Sequence, residues 1–320
     1  MNAMPEAAIT AAANQSRVAF GLAVTAMAAD DGNIVAISSD TLDLMGLRGF
    51  VAAYPDRLVE AGIAEQNAMG IASGLATTGM RPFLCGYAPF ITARSMEQLR
   101  NDVAYAHQRV VIGAAASGVS LGVSGGTHHA LEDLGLMRSL PNMTAIVPAD
   151  ALQAWHATQA TANIDGPVYI RLGGRAPEPP VTSASTPFRL GKADCLHDGN
   201  DVTIIACGYL VAEAMTAAEA LKSQGVAARV LNMHTIKPLD TEAVLAAATE
   251  TGAIVTAEEH RMTGGLGGAV AELLARENPT RMRMIGMPDE FAIVGPTPKV
   301  REHYGMDAAS IVTACQELVN

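Results

Sequence analysis

The sequence predicts an α/β protein of two domains, each a mostly parallel sheet flanked by helices. Three observations carry this. Short β-rich apolar runs alternate with stretches of helical periodicity along most of the 320 residues, the pattern of parallel strands joined by helical crossovers. The length exceeds one typical core and suits two. One segment, 173–187 (GGRAPEPPVTSASTP), is rich in Pro, Gly, Ser and Thr and breaks the alternation, as a linker does. The domains are accordingly expected at 1–175 and 188–320, with the linker proper at 176–187.

In chain order, 11–29 reads as a helix and Ile34–Ser38 (IVAIS) as a buried strand. A turn-rich segment leads to a helix at Glu65–Thr77, where Met69, Ala72, Leu75 and Ala76 fall at helical spacing. A strand at 82–86 follows, then a helix at 92–107 with Met96, Leu99, Val103 and Ala106 expected on one face. Next come a strand at 109–114, a helix near 130–138, a strand at 144–147, a helix at 150–163 and a strand at 168–172. Asp150 precedes an apolar helical pattern and reads as a helix N-cap. Beyond the linker the alternation resumes, with strands at 202–208, Ala228–Asn232 and 253–257 and helices at 211–223 and 268–275.

Hydrophobic residues make up 49% and charged residues 17%, a balance that supports an ordered core. The formal net charge of −11 argues against non-specific nucleic-acid or anionic-membrane binding, which require Lys and Arg patches. No apolar run approaches the roughly 20 residues of a membrane span, and MNAMPEAAIT lacks the pattern of a signal peptide. Cys85, Cys195, Cys207 and Cys315 show no metal-ligand spacing and no C-x-x-C, which fits free thiols in a reducing cytoplasm. GGLGG at 264–268 fails the G-x-G-x-x-G spacing of a dinucleotide site. Its glycines read better as room for a closely packed helix terminus.

Chemistry concentrates in 56–147. GIAEQN at 62–67 is a turn into a helix bearing Glu65, with Gly70 and Gly74 following on that helix. By spacing alone Glu65 is an ordinary helix-start carboxylate favoured by the dipole. The two glycines would let another backbone approach, as at a subunit interface.

Longer segments add more. PDRLVEAGIAEQNAMGIASGLA, RPFLCGYAPFITARSMEQLRNDVAY, GGTHHALEDLGLMRSLPNMTAIVPAD and GPVYIRLGGR resemble, in order, the pyrimidine-binding domain of the transketolase family. AEEHRMTGGLGGAVAELLA resembles its C-terminal domain. The resemblance implies dependence on thiamine diphosphate, with Glu65 hydrogen-bonding N1′ of the aminopyrimidine and so favouring the 4′-imino tautomer. The cofactor carries the carbon chemistry and the protein supplies orientation and proton control. Burial of Glu65 would disfavour its charged form. Tyr87 and Phe90 match the aromatic wall around the pyrimidine, and Asp40 matches an aspartate near the cofactor. His128 matches a histidine that contacts donor hydroxyls. Arg171, and less closely Arg17, match arginines that bind the sugar phosphate through bidentate contacts.

The pattern also departs from the family. Ala116 and Ser124 stand where the family often has histidine and aspartate that position sugar hydroxyls, which implies an altered sugar preference. No G-D-G motif for Mg²⁺ and diphosphate occurs. The resemblance therefore implies one chain of a split enzyme. An N-terminal-half transketolase subunit would hold Mg²⁺ and diphosphate, and two copies of each chain would form a heterotetramer acting on sugar phosphates. Two other readings are the β subunit of a 2-oxoacid dehydrogenase, which shares the domain order, and a non-catalytic partner with a degenerate site.

Overall fold

The computed structural model describes residues 3–183 and 186–319. Among these, the first half supplies β1 (Ile34–Ser38), β2 (Leu58–Glu60), β3 (Arg81–Tyr87), β4 (Val111–Ala115), β5 (Thr144–Ile146) and β6 (Val168–Arg171). The second half supplies β7 (Asp194–His197), β8 (Val202–Ala206), β9 (Ala228–Asn232), β10 (Thr235–Lys237), β11 (Ala253–Arg261) and β12 (Arg281–Met287). They form two sheets, ordered β10-β5-β6-β4-β3-β1-β2 and β12-β11-β8-β9-β7. Pairing is parallel throughout except β10 on β5 and β7 on β9. The two-sheet α/β expectation therefore holds. Strands β1, β4 and β8 are buried along their whole length, which is why they read as unbroken apolar runs rather than alternating ones.

Several elements differ from the sequence expectation. The helix expected over 11–29 is two helices, Glu6–Ala12 and Ser16–Asp30. Ala13 and Asn14 between them take φ of 46° and 55°, a left-handed break that no helix continues through. The stretch 92–107 is not one α-helix: π-helical turns at Phe90–Arg94 and Leu99–Tyr105 flank a short α-turn, Met96–Gln98. This rotates the expected face, so Leu99 and Val103 are buried while Ala106 is exposed. The helix near 130–138 starts only at Asp133, because Ala130 pairs with Gly118 in an isolated bridge. The helix Glu65–Thr77 has the expected bounds.

The two halves are joined more closely than a linker between independent domains implies. β10 comes from the second half yet completes the first sheet. The segment 176–187 is strapped down where it is described. Asp150 caps its helix by accepting from Gln153 N at 2.9 Å, and also accepts from Val181 N and Thr182 N. Glu178, buried, accepts from Ser16 N at 2.6 Å and Ser16 Oγ at 2.8 Å. Burial pushes the Glu178 carboxyl up to about 7.

The glycine-rich approach at 264–268 also has a physical explanation. Glu258 accepts from Leu266 N and Gly267 N at 2.7 Å each. The anion-favouring end of the helix Leu266–Glu277 is thus filled by the chain's own carboxylate. A Cβ at Gly265 would overlap Glu258 Oε2, so glycine is needed for that approach.

Candidate active site

Ligand sites in open α/β sheets lie beyond the carboxyl ends of the strands, and the expected residues gather there in the first sheet. Asp40 follows β1, Tyr87 ends β3 and Ala116 follows β4. Asp40 and Ala116 have φ of 55° and 60°, left-handed values that side chains other than glycine rarely adopt and that collect at functional turns.

Glu65 opens its helix and is buried, with its side chain 3% exposed. Its Oε2 accepts from Arg94 Nη1 at 2.7 Å. Among the described residues no donor reaches Oε1. Phe90 begins the π-helical turn that ends at Arg94, and the Arg94 guanidinium lies over the Phe90 ring, 4.6 Å from its centroid. Tyr87 meets Phe90 edge-on at 6.1 Å. His128 meets Phe90 edge-on at 5.2 Å and Tyr87 at 6.4 Å, and its Nδ1 lies 3.0 Å from Thr127 Oγ1. Glu65, Tyr87, Phe90 and His128, brought together from three segments of the chain, thus form one cluster. Arg94 belongs to it and was missed by the sequence reading. Its spacing of four from Phe90 was the available signal.

Other expected residues take different positions. Asp40 is exposed, and its amide donates to Glu60 Oε1 at 2.9 Å. It borders an open depression shared with Leu44, Glu60, Tyr87 and Arg175. Ser124 is exposed in a 3₁₀ turn, Gly122–Ser124, on a loop that packs against Phe291 and Val294. His129 is turned inward, and neither ring nitrogen has a hydrogen-bond partner among the described residues.

The two arginines expected to bind phosphate are both engaged internally. Arg171 is buried and donates from Nε and Nη2 to Asp133 at 2.7 and 3.0 Å, with further bonds to Ala130 O and Glu259 O. Tyr169 OH donates to the same Asp133 at 2.6 Å. The carboxylate neutralises the charge a phosphate would need. Arg17 is also buried, and its guanidinium donates to Gly174 O, Leu44 O and Gln15 Oε1. Desolvation by burial and the nearby Arg175 hold its pKa below the usual arginine value.

The cluster joins two aromatic rings, an imidazole and a buried carboxylate. Two ring faces and a buried carboxylate with one oxygen undonated suit an aminopyrimidine that presents both apolar faces and a ring nitrogen. Among the described residues no group of three or more His, Cys, Asp or Glu is placed to hold a metal ion. No helix among them is long and apolar enough to cross a membrane.

Known proteins resemble the chain along both of its halves. The model described as "Transketolase, pyrimidine binding domain" matches residues 13–176, and "Transketolase, C-terminal domain" matches 191–311. The chain is 42% identical over 303 residues to one of the subunits of the apulose-4-phosphate transketolase of Phocaeicola vulgatus, covering 95% of this chain and 97% of that protein. It is also 42% identical over 288 residues to the SqwH subunit of the 6-deoxy-6-sulfo-D-fructose transketolase of a Clostridium species, covering 90% and 89%. A solved structure titled "Split gene transketolase, inactive beta4 tetramer" superposes with a TM-score of 0.88 at 41% identity, covering 95% of this chain and 98% of that one.

Proposed function

The chain belongs to the transketolase family, and from that premise we propose that it is the pyrimidine-binding subunit of a two-chain, thiamine-diphosphate-dependent transketolase that moves a two-carbon ketol group between sugars. The observation that carries this is the buried Glu65 inside the cluster of Tyr87, Phe90 and His128. Relatives of similar length are named as subunits of transketolases. Those names support a partner chain that supplies the Mg²⁺ and diphosphate ligands.

Thiamine diphosphate, when bound, supplies a carbon centre able to hold the transferred two-carbon unit. This chain's residues do the rest. Tyr87 and Phe90 hold the pyrimidine by its faces and exclude water. Glu65 exchanges a hydrogen bond with its N1′ and so sets where the proton of the aminopyrimidine rests. His128, half-buried against Phe90, donates to or accepts from hydroxyls of the sugar. Asp40, exposed at the rim of the adjoining depression, would meet the cofactor or partner from the side.

The substrate is read as a sugar whose hydroxyl pattern differs from that of common sugar phosphates. Ala116 offers no side-chain hydrogen bond, and Ser124 offers a hydroxyl in place of a charge. Arg17 and Arg171 are internally bonded, which supports an anionic terminus held by other groups. The names of the relatives, one for a sugar phosphate and one for a sulfonated sugar, fit a family branch with varied termini.

The test is Glu65→Gln, assembled with the partner chain, thiamine diphosphate and Mg²⁺. Ketol transfer should fall by about a hundredfold or more, the scale of positioned acid–base catalysis, with assembly intact. Undiminished transfer would refute the assignment.

A further inference from the structure

Arg94 is the cluster member to which the sequence reading gave no role. Glu65 is almost fully buried, and a buried carboxylate without a donor is costly. Its one donor among the described side chains is Arg94, at 2.7 Å. That arginine is held twice, by the carboxylate and by the face of Phe90 at 4.6 Å. Phe90 in turn is braced by Tyr87 and His128.

The backbone that carries Arg94 is itself unusual. Phe90–Arg94 is a π-helical turn, a form that appears mostly as single turns at functional sites. Buried hydroxyls support it locally: Thr92 Oγ1 donates to Ala88 O at 2.6 Å and Ser95 Oγ to Ile91 O at 2.7 Å. The wider turn is thus stabilised by its own side chains and not only by the ion pair.

We propose that Arg94 is a positioning residue for Glu65: it fixes the carboxylate through Oε2, presses it toward the aromatic wall, and leaves Oε1 as the oxygen that meets the pyrimidine nitrogen. Arg94 touches neither the sugar nor the carbon centre in this assignment and acts through Glu65. The proposal rests on the function proposed above. It adds that the orientation of Glu65 is set within this chain before cofactor or partner arrives.

The experiment uses the assembled two-chain enzyme with Arg94→Ala, Arg94→Gln and Arg94→Lys, each also combined with Glu65→Gln. Thiamine diphosphate with Mg²⁺ is titrated calorimetrically, and kcat and sugar KM are measured separately. Arg94→Ala should weaken cofactor binding and lower kcat by about tenfold or more each, the effect of one lost charge-assisted bond, with sugar KM unchanged. Arg94→Gln should lie between it and wild type, and Arg94→Lys should recover most of the loss. In the Glu65→Gln background, Arg94→Ala should add little, because its effect runs through the carboxylate. An Arg94→Ala enzyme within twofold of wild type in cofactor affinity and kcat overturns the positioning role and leaves the functional reading standing. An equal loss with and without Glu65 also overturns it, since the residue would then be merely structural. Wild-type assembly that neither binds thiamine diphosphate nor transfers a ketol group removes both.

Discussion

Replacing Arg171 by methionine separates a buried structural ion pair within the first domain from a substrate-binding arginine. The pair is deeply buried, with side-chain exposures of 4% for Arg171 and 1% for Asp133. Asp133 receives two bonds from Arg171 and one from Tyr169. Arg171→Met leaves that carboxylate with the Tyr169 donor alone, and strips a donor from Ala130 O and Glu259 O. Removing one partner of a buried pair costs about 3–5 kcal/mol. An unfolding entropy of roughly 2.1 cal/mol/K per residue gives about 0.7 kcal/mol/K for a chain of this length, so Tm should fall by about 4–7 °C. The pH dependence has a definite sign. Burial alone would raise the Asp133 carboxyl, but the Arg171 guanidinium outweighs it and holds the group below the usual carboxylate range. A depressed carboxyl contributes its stability above its unfolded pKa and loses it as pH falls through the folded value. The Tm deficit of Arg171→Met should therefore be full at pH 7 and shrink below about pH 4. Asp133→Leu combined with Arg171→Met should recover most of the loss, because no charge is left unpaired. Thermal unfolding followed by circular dichroism measures all three variants. A deficit under 1 °C at pH 7, together with a raised KM for a phosphorylated sugar, would refute this reasoning and return Arg171 to the substrate.

The other predictions concern linkage and assembly. Burial raises Glu178 to about 7, so the unfolded chain ionises there first and stability should decline as pH rises from about 4.5 to about 7. Glu178→Gln should remove up to about 3 kcal/mol of that decline, seen as the wild-type-minus-variant difference in urea midpoints at pH 5 and pH 8. A difference that does not change with pH contradicts it. Gly70 and Gly74 have open space where a Cβ would stand, and Ile63, just before their helix, is 73% exposed. Gly70→Leu should fold at least as well, gaining about 1 kcal/mol of helix propensity, yet block assembly with the partner chain in size-exclusion chromatography. Normal assembly would show that this helix face is not the interface.

The alternation of apolar strands and periodic helices made the two-sheet architecture legible, because parallel strands buried on both faces must be apolar along their length. The helix that Glu65 opens was equally legible from its apolar spacing, whereas Glu65 itself stood out only through the family resemblance. The break at Ala13 and Asn14 was hidden because neither residue is a strong breaker. The π-helical turns were hidden because their apolar spacing resembles that of an α-helix. β10 was missed because three residues carry no periodicity, and its pairing with β5 is decided by contacts across the chain.

The sequence by itself determined the fold class and the bounds of the helix that opens at Glu65, because these depend on residue type and short spacing. Only the tertiary structure decided which charges are free. Arg17 and Arg171 match phosphate ligands by resemblance and are bonded here to carbonyls and Asp133, while Arg94, given no role in the sequence, reaches Glu65. A guanidinium's role depends on which oxygen lies within about 3 Å of it, and that oxygen comes from segments tens of residues away.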